Sequence, residues 1–431
     1  MDSRRQHRRV RQILGTSVLA GFCLVASVGL FTGAARANAP SRPDILIFLT
    51  DDQRDAGSMA EMPAMHRIFV HGGTHFINGY VTTPQCCPSR ASIFSGQYAH
   101  NTGIITNDGR AFNANDTWER YLHDHGYFTG LIGKYLNGVQ TPGAPYFDFA
   151  DPGRNATEPE TVTTARAISR FFEAESLHPK KPWALEVSSY SPHAPWDSFP
   201  ATSYPVPSFA APYQPPSFQE ADRTDKDISV QGRSYPNQLF ADQYAGQQME
   251  THTADEEFGN LWQAIRDHRQ GGNLLSFFLS DNGYAWGDHG LWGKGEPYIE
   301  NSRVPFYVRW PGHVPAGVTD SRIAANIDIA PTIYHAAGIK PTYLVDGHSL
   351  LGSWRRPWIL LEFQNPDVWD VPPWTSYLAP GKRQYIQWSD GFVEDYNLRT
   401  DPAELTASNR PDTAIEAKLN AAGTCRGDDC P

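Results

Sequence analysis

The stretch Pro43-Asp44-Ile45-Leu46-Ile47-Phe48-Leu49-Thr50-Asp51-Asp52 is an unbroken apolar run that ends directly in two carboxylates. Such a run is typical of a strand that is buried on both faces of a parallel sheet. Open sheets of this kind bind ligands at the carboxyl ends of their strands. The stretch therefore predicts an α/β fold in which Asp51 and Asp52 lie at the functional edge.

Further apolar runs follow the same plan along the chain. Buried strands are predicted at 128–132, 183–190, 274–280 and 304–308, and helices at 118–125 and 243–269. Their alternation predicts a large, mostly parallel sheet flanked by helices. Residues 195–240 are rich in Pro, Ser and Tyr, and we interpret them as an irregular excursion that forms a wall of the ligand cleft.

The pattern changes after about residue 352. Short strands joined by turns are predicted at 358–363, 384–388 and 392–398, and a terminal helix at 412–421. We predict a main catalytic α/β domain over 41–352 and a smaller antiparallel subdomain with a terminal helix over 353–431.

The N-terminus has the pattern of an export signal. A basic start from Arg4 to Arg11 precedes the apolar or small residues 13–33, and Ala35-Arg36-Ala37 offers a cleavage site. An uncleaved membrane anchor is the alternative, because about twenty apolar residues can span a bilayer. The small residues at the exit favour a signal peptide over 1–37. We therefore expect a secreted protein, with cell-surface association left open and no stable membrane partner.

Charge and cysteine content limit the possible partners. Removal of residues 1–37 takes away six arginines and one aspartate, which changes the net charge from −11 to −16. A protein this acidic is a poor general binder of nucleic acid, so an anionic ligand needs a local cationic site. Cys425 and Cys430 are close enough in the chain to form a small disulfide loop in an oxidising compartment. That pairing leaves Cys86 and Cys87 unpaired.

Two motifs could carry chemistry. In Cys86-Cys87-Pro88-Ser89-Arg90 the adjacent thiols could be buried apolar residues, half of a disulfide or metal ligands, although no zinc-type spacing occurs nearby. The second motif is a set of oxygen donors at two strand ends: Asp51, Asp52, Asp281 and Asn282. Each pair alone is ordinary turn material, but together they suit a hard cation such as calcium or magnesium.

The chain resembles the type I, formylglycine-dependent sulfatases of the alkaline phosphatase superfamily. The resemblance is closest to N-acetylglucosamine-6-sulfatases and related glycosaminoglycan sulfatases. It covers nearly the whole mature chain through motifs in the family's order: Thr50-Asp51-Asp52-Gln53, Cys86-Cys87-Pro88-Ser89-Arg90 with Gly96, Gly133-Lys134-Tyr135-Leu136-Asn137, Pro192-His193, Ser280-Asp281-Asn282-Gly283, Gly293-Lys294-Gly295 to Arg303-Val304-Pro305, and Tyr396-Asn397-Leu398 to Glu404.

The resemblance implies a role for each matched residue. A formylglycine-generating enzyme would oxidise Cys86 to the aldehyde formylglycine, whose hydrate attacks sulfur. One calcium ion would be held by the modified Cys86 with Asp51, Asp52, Asp281 and Asn282. The cationic and substrate-binding roles would fall to Arg90 and Lys134, which stabilise the diol and the covalent sulfate, and to His193 and Lys294, which bind sulfate and of which one protonates the leaving alcohol.

One departure from the family's pattern concerns the general base. Many sulfatases carry a histidine a few residues after the lysine, whereas Lys134 is followed by Tyr135-Leu136-Asn137. Asn137 is a candidate for hydrogen bonding to the diol and cannot act as a base. His193 and His289 are the candidates for the base; His289 is also a candidate for lining the sugar pocket, and a plain loop histidine is an equal alternative.

These implications predict an exported sulfatase that hydrolyses a sulfate monoester. The expected substrate is the 6-sulfate of N-acetylglucosamine or of a sulfated glycan. One alternative is a phosphodiesterase or phosphonate monoester hydrolase on the same scaffold, because phosphate and sulfate have similar shapes. The other is a catalytically silent sulfoglycan-binding protein whose cysteine is never oxidised.

Overall fold

A computed structural model describes residues 42–194, 214–268, 272–365 and 370–431. The predicted signal peptide lies outside the described residues. The strands are β1 Asp44–Thr50, β2 Thr74–Tyr80, β3 Phe128–Gly133, β4 Phe149–Asp151, β5 Trp183–Ser188, β6 Leu274–Ser280, β7 Ala285–Trp286, β8 Trp292–Gly293, β9 Phe306–Arg309, β10 Val318–Ala325, β11 Ile359–Phe363, β12 Trp374–Ala379, β13 Arg383–Trp388 and β14 Val393–Tyr396. The α-helices are α1 Pro63–Met65, α2 Cys86–Ser95, α3 Ala99–Thr102, α4 Trp118–Asp124, α5 Glu160–Glu175, α6 Ile228–Gln231, α7 Asn237–Asp267, α8 Ile299–Ser302, α9 Ile329–Ala337 and α10 Thr413–Ala422.

The main sheet has eight strands in the order β10-β2-β9-β6-β1-β5-β3-β4. Strand β9 runs antiparallel to both of its neighbours, and the other pairings are parallel. A smaller sheet, β11-β12-β13-β14, is entirely antiparallel. The predicted fold class, a mostly parallel α/β sheet with a separate antiparallel sheet, is confirmed.

Strand β1 lies at the centre of the main sheet because both of its faces are apolar. Ile45, Ile47 and Leu49 pack into the core on one side of the sheet, together with residues of α2, α4 and α9. Leu46 and Phe48 pack into the core on the other side, together with residues of α5 and α7. Alternate side chains of a strand point to opposite faces, so an unbroken apolar run requires helices on both.

Strand register brings the polar ends of four strands into one row. Thr50 of β1 pairs with Ser280 of β6, while Ser188 of β5 pairs with both Leu49 of β1 and Gly133 of β3. The residues that follow these positions leave the sheet at the same edge. The register therefore carries the carboxylates after β1 and β6 and the lysine after β3 to a common point.

Six of the described strands were absent from the sequence-based prediction: β2, β4, β7, β8, β10 and β12. Strands β2 and β10 form one side of the main sheet, and β12 lies inside the smaller sheet. Strand β10 begins with Val318-Thr319-Asp320-Ser321-Arg322, of which four are polar and none is buried, so it lacks the apolar run of a buried strand. The predicted irregular excursion also contains order: α6 and the start of α7 fall within it, while 195–213 lie outside the described residues.

The C-terminal region contains the predicted disulfide, between Cys425 and Cys430. The antiparallel sheet and α10 fall within the predicted subdomain, but residues 42–431 form a single compact unit. The boundary at 352 therefore stays a prediction. Among the described residues, no helix has the length and apolar character that crossing a membrane requires.

The start of β1 gives a prediction on pH and stability. Burial raises the pKa of Asp44 to about 6, although its carboxylate accepts a hydrogen bond from the Trp183 amide. The folded state therefore binds this proton more tightly than the unfolded state, and stability falls as the pH rises from about 4 to 6. We expect Asp44→Asn to remove this pH dependence and to stabilise the protein at pH 7 by at most about 3 kcal/mol. Urea unfolding at pH 4.5 and at pH 7 measures the free energy of unfolding of both proteins. An equal change of that free energy with pH in the two proteins would contradict the prediction.

Candidate active site

Carboxylates from two strand ends meet at the edge of the main sheet. Asp51 and Asp52 follow β1, Asp281 and Asn282 follow β6, and all four side chains are buried. The Asp52 amide donates to Asp281 Oδ1 at 3.2 Å, and Asn282 Nδ2 donates to Asp52 Oδ1 at 2.6 Å. Asp52 has a φ of 70°, a left-handed conformation that non-glycine residues seldom adopt and that is often retained at functional sites.

Cys86 is the first residue of α2. Its Sγ lies 3.6 Å from Asp51 Oδ1 and 2.8 Å from Lys294 Nζ. The thiol is therefore in direct contact with both the carboxylate cluster and a cation. Cys87 is also a free thiol, and its Sγ accepts a hydrogen bond from the Asn137 amide at 3.0 Å.

Three buried cations neutralise the carboxylates. Arg90 Nε donates to Asp281 Oδ2 at 2.8 Å, and Arg90 Nη2 lies 3.4 Å from Asp51 Oδ2. Lys134 forms an ion pair with Asp51, and Lys294 forms one with Asp52. These residues come from α2, from the end of β3 and from the loop after β8, so only the folded chain brings them together.

The charges set the protonation states of the site. Burial alone would raise the pKa of Asp51, but Lys134, His193, Arg90 and Lys294 together hold it well below its ordinary value. Burial raises the pKa of the Cys86 thiol to about 12, despite the opposing effect of Lys134 and Lys294. An unmodified Cys86 is therefore a neutral thiol at physiological pH and a poor nucleophile.

The donor set fits a hard divalent cation. Side-chain ligand atoms of Asp51, Asp52, Cys86 and His193 all lie within 4.8 Å of one another. Asp281 and Asn282 add further oxygens beside Asp52, and carboxylate and amide oxygens are the ligands that calcium prefers. The arrangement can thus hold such an ion.

A cavity of about 500 Å³ opens beside this cluster. Four of the predicted site residues line it: Asp51, Lys134, Asn137 and His193. The side chain of His193 is 39% exposed. His193 Nε2 lies 3.7 Å from Asp52 Oδ2, so this imidazole connects the buried charges to the cavity.

The structure does not bring His289 into this group. Its side chain is fully buried, with Nδ1 2.7 Å from a Glu220 oxygen, Nε2 4.0 Å from a Glu300 oxygen and the ring on Tyr298. Its location in a buried polar cluster leaves His193 as the candidate base that faces the cavity.

Several residues of the site carry no motif that would have revealed them. Ser188 Oγ accepts a hydrogen bond from Arg90, and the strand-end rule that identified Asp51 would have found this serine. Four further cavity residues belong to no motif of the sequence: Arg154, Glu160, Tyr190 and Glu250. Tyr190 ends the predicted strand 183–190 and Glu250 lies in the predicted helix 243–269, but neither position by itself indicated a place in the site.

Comparison with known proteins supports the predicted family. An extracellular sulfatase Sulf-1 homolog of Caenorhabditis elegans is 31% identical over 356 residues, which cover 72% of this chain and 49% of that protein. The human N-acetylglucosamine-6-sulfatase is 26% identical over 490 residues, which cover 94% of this chain and 86% of that protein. The chain spans half or less of the first two curated relatives, 49% of the C. elegans protein and 39% of the Drosophila melanogaster SULF-1 homolog.

Solved structures share the fold. A protein in complex with its substrate D-glucosamine-2-N,6-O-disulfate aligns with a TM-score of 0.74 at 20% identity, over 88% of this chain and 96% of that one. A phosphonate monoester hydrolase of Agrobacterium radiobacter aligns with a TM-score of 0.70 at 19% identity, over 88% and 94%. The sulfatase family model matches residues 43–339, from β1 through α9. Because this match spans most of the chain and includes the cysteine and carboxylate cluster, the protein belongs to the sulfatase family.

Proposed function

We propose that the protein hydrolyses sulfate monoesters, with the 6-sulfate of an N-acetylglucosamine unit or sulfated glycan as substrate. The observation that carries the proposal is the position of Cys86, which lies between Asp51 and Lys294 next to a cavity that opens to solvent. The Cys86 thiol is buried in the folded protein and its pKa is raised. A formylglycine-generating enzyme would therefore oxidise it before folding is complete.

Two groups are needed beyond the encoded side chains. A formylglycine at position 86 supplies a hydrated aldehyde as nucleophile, and a calcium ion held by Asp51, Asp52, Asp281 and Asn282 supplies positive charge next to it. The ion pairs of Arg90 and Lys134 with Asp51 keep that carboxylate ionised, which it must be to act as a metal ligand.

The protein's own cations receive the sulfate. Lys134 and His193 line the cavity, while Lys294 contacts position 86. Charge that develops on the sulfate oxygens would thus meet preorganised donors, of which the two lysines are buried, where such stabilisation is strongest. Lys134 and Lys294 are nearly completely buried, and neighbouring carboxylates hold the pKa of each ammonium above its ordinary value. Both lysines therefore stay charged.

His193 is the better placed acid for the leaving alcohol. It has the exposed position at the cavity, whereas Lys294 is engaged by Asp52 and position 86. A sugar alcohol is a poor leaving group and needs a proton as the ester bond to sulfur breaks. Once it has given up that proton, the same imidazole would be the candidate base for the step that frees the site of sulfate.

If His193 is the acid, the effect of its removal on the rate should depend on the leaving group of the substrate. His193→Ala should lower kcat/KM for a sugar 6-sulfate by about 100-fold or more, because general acid catalysis contributes roughly that factor and kcat/KM does not include the later release of sulfate. The loss should be much smaller for nitrophenyl sulfate, whose phenolate leaves without a proton. His123→Ala is the matched control, because the side chain of His123 is 42% exposed on the surface. It should leave the turnover of both substrates unchanged. Equal losses on both substrates would exclude His193 as the acid.

The proposed substrate follows from the relatives and from the charge. One relative is named N-acetylglucosamine-6-sulfatase, and one structural neighbour was solved with a 6-O-sulfated glucosamine as its substrate. Extracellular relatives also support export, which agrees with the proposed signal peptide. The local cations supply the attraction for sulfate that the acidic protein as a whole lacks.

The test is a substrate screen combined with mass spectrometry of the peptide that contains Cys86. We expect turnover of 6-sulfated N-acetylglucosamine above that of aryl sulfates, and formylglycine at position 86. Higher turnover of phosphate diesters would favour the phosphonate hydrolase activity named for one structural neighbour. An unmodified thiol in protein from the native host, with binding but no turnover, would favour a sulfoglycan-binding protein.

A further inference from the structure

An arginine that stacks on an aromatic ring faces the candidate active-site cavity. Arg154 lines this cavity together with Lys134, Tyr190 and His193. Its guanidinium carbon lies 3.5 Å from the centroid of the Tyr190 ring. Within the described part of the chain, this aromatic face is its partner, and no carboxylate reaches ion-pair distance of it.

Nearby exposed arginines behave differently. Arg166 pairs with Glu158 at 2.6 Å, and Arg170 pairs with Asp151 at 2.7 Å. The Arg154 guanidinium instead stacks on a ring, and the hydrogen bonds of the described residues include none from it. Stacking holds the guanidinium plane in place and leaves its edge available for a bidentate anion.

Two carboxylates besides Asp51 lie in the cavity wall, and the charge of Arg154 acts on one of them, Glu160. Glu160 accepts a hydrogen bond from the Tyr190 amide at 2.9 Å, and Glu250 accepts one from the Ser191 hydroxyl at 2.9 Å. Both carboxylates are thus held by the loop that follows β5. Burial raises the pKa of each, which reduces the negative charge that they contribute to the cavity.

We propose that Arg154, supported by the ring of Tyr190, forms a subsite for a second anionic group of the substrate. The group would be a sulfo group or a carboxylate carried by the same sugar or its neighbour, while Lys134 and His193 receive the scissile sulfate. This inference rests on the proposed function, since it assigns the substrate class of the same cavity. The protein would then prefer doubly anionic glycans over a monosulfated sugar.

Binding to an inactive form tests the subsite without any need for turnover. Calorimetry with the Cys86→Ala protein would compare three ligands: N-acetylglucosamine 6-sulfate, glucosamine 2-N,6-O-disulfate, and a disaccharide of a uronic acid with 6-sulfated N-acetylglucosamine. We expect at least one of the two doubly anionic ligands to bind about tenfold tighter than the monosulfate, since charge-assisted hydrogen bonds have this effect. The ligand that gains affinity identifies the second group as sulfo or carboxylate.

Adding Arg154→Gln should abolish that preference, so that the Kd values of the doubly and singly anionic ligands converge. Arg170→Gln is the matched control, because it removes the same charge from the neighbouring helix α5 and should leave the preference intact. A preference that survives in Arg154→Gln, or one that is absent from the parent protein, would overturn the inference. Failure of the proposed function would be recognised separately, as no turnover of any sulfated sugar by the unmutated enzyme.

Discussion

Replacement of Cys86 by alanine is expected to lower turnover of sulfated sugars by at least about 10⁴-fold, the scale of loss when a catalytic nucleophile is removed. The Cys86 Sγ contacts both Asp51 and Lys294, which places it at the centre of the charged cluster. The fold should survive, because the change removes a single buried sulfur atom at the start of α2. Steady-state kinetics, circular dichroism and the melting temperature measure these two effects separately.

The neighbouring thiol provides a matched control. Cys87 is also buried and free, but its Sγ faces the Asn137 amide and not the carboxylate cluster. Cys87→Ala should therefore retain turnover within about tenfold, with a loss of stability on the order of 1 kcal/mol for the hydrogen bond. Comparable turnover in the Cys86 and Cys87 variants would contradict the assignment of the nucleophile.

The second large effect is expected for Asp281→Ala. Asp281 accepts a hydrogen bond from Arg90 at 2.8 Å, and neither side chain is exposed to solvent. Loss of the carboxylate leaves a buried guanidinium with a weaker partner, which typically destabilises a protein by 3–5 kcal/mol. It also removes one of the proposed calcium ligands. The variant should melt at a lower temperature and bind less than one calcium ion per chain.

A chelator separates these two contributions. In the unmutated protein, removal of calcium should lower the melting temperature, because a ligand that binds only the folded state stabilises it. In Asp281→Ala the chelator should have little further effect. Asp281→Asn, which keeps the shape and one oxygen, should lie between the two proteins. A melting temperature of the unmutated protein that does not respond to chelation would count against the metal site.

Much of the architecture could be predicted because it follows from local patterns. Strands β1, β3, β5 and β6 are mostly apolar and buried along almost their whole length, and such runs are stable only inside a covered sheet. The missed strands at 74–80 and 318–325 contain residues that are exposed or only partly buried. Their polarity resembles that of a loop, and only pairing with their neighbours makes them strands.

The amino-acid sequence alone determined the family, the parallel sheet and the residue types of the site, because contiguous motifs and apolar periodicity record these directly. The tertiary structure decided which of the candidates meet: Cys86, Lys134 and Lys294 converge on the carboxylates, whereas His289 lies in a separate buried cluster. It also revealed Arg154 and Tyr190 in the cavity. Distances between residues far apart in the chain depend on strand register and on loop paths, and the packing of the whole core sets both.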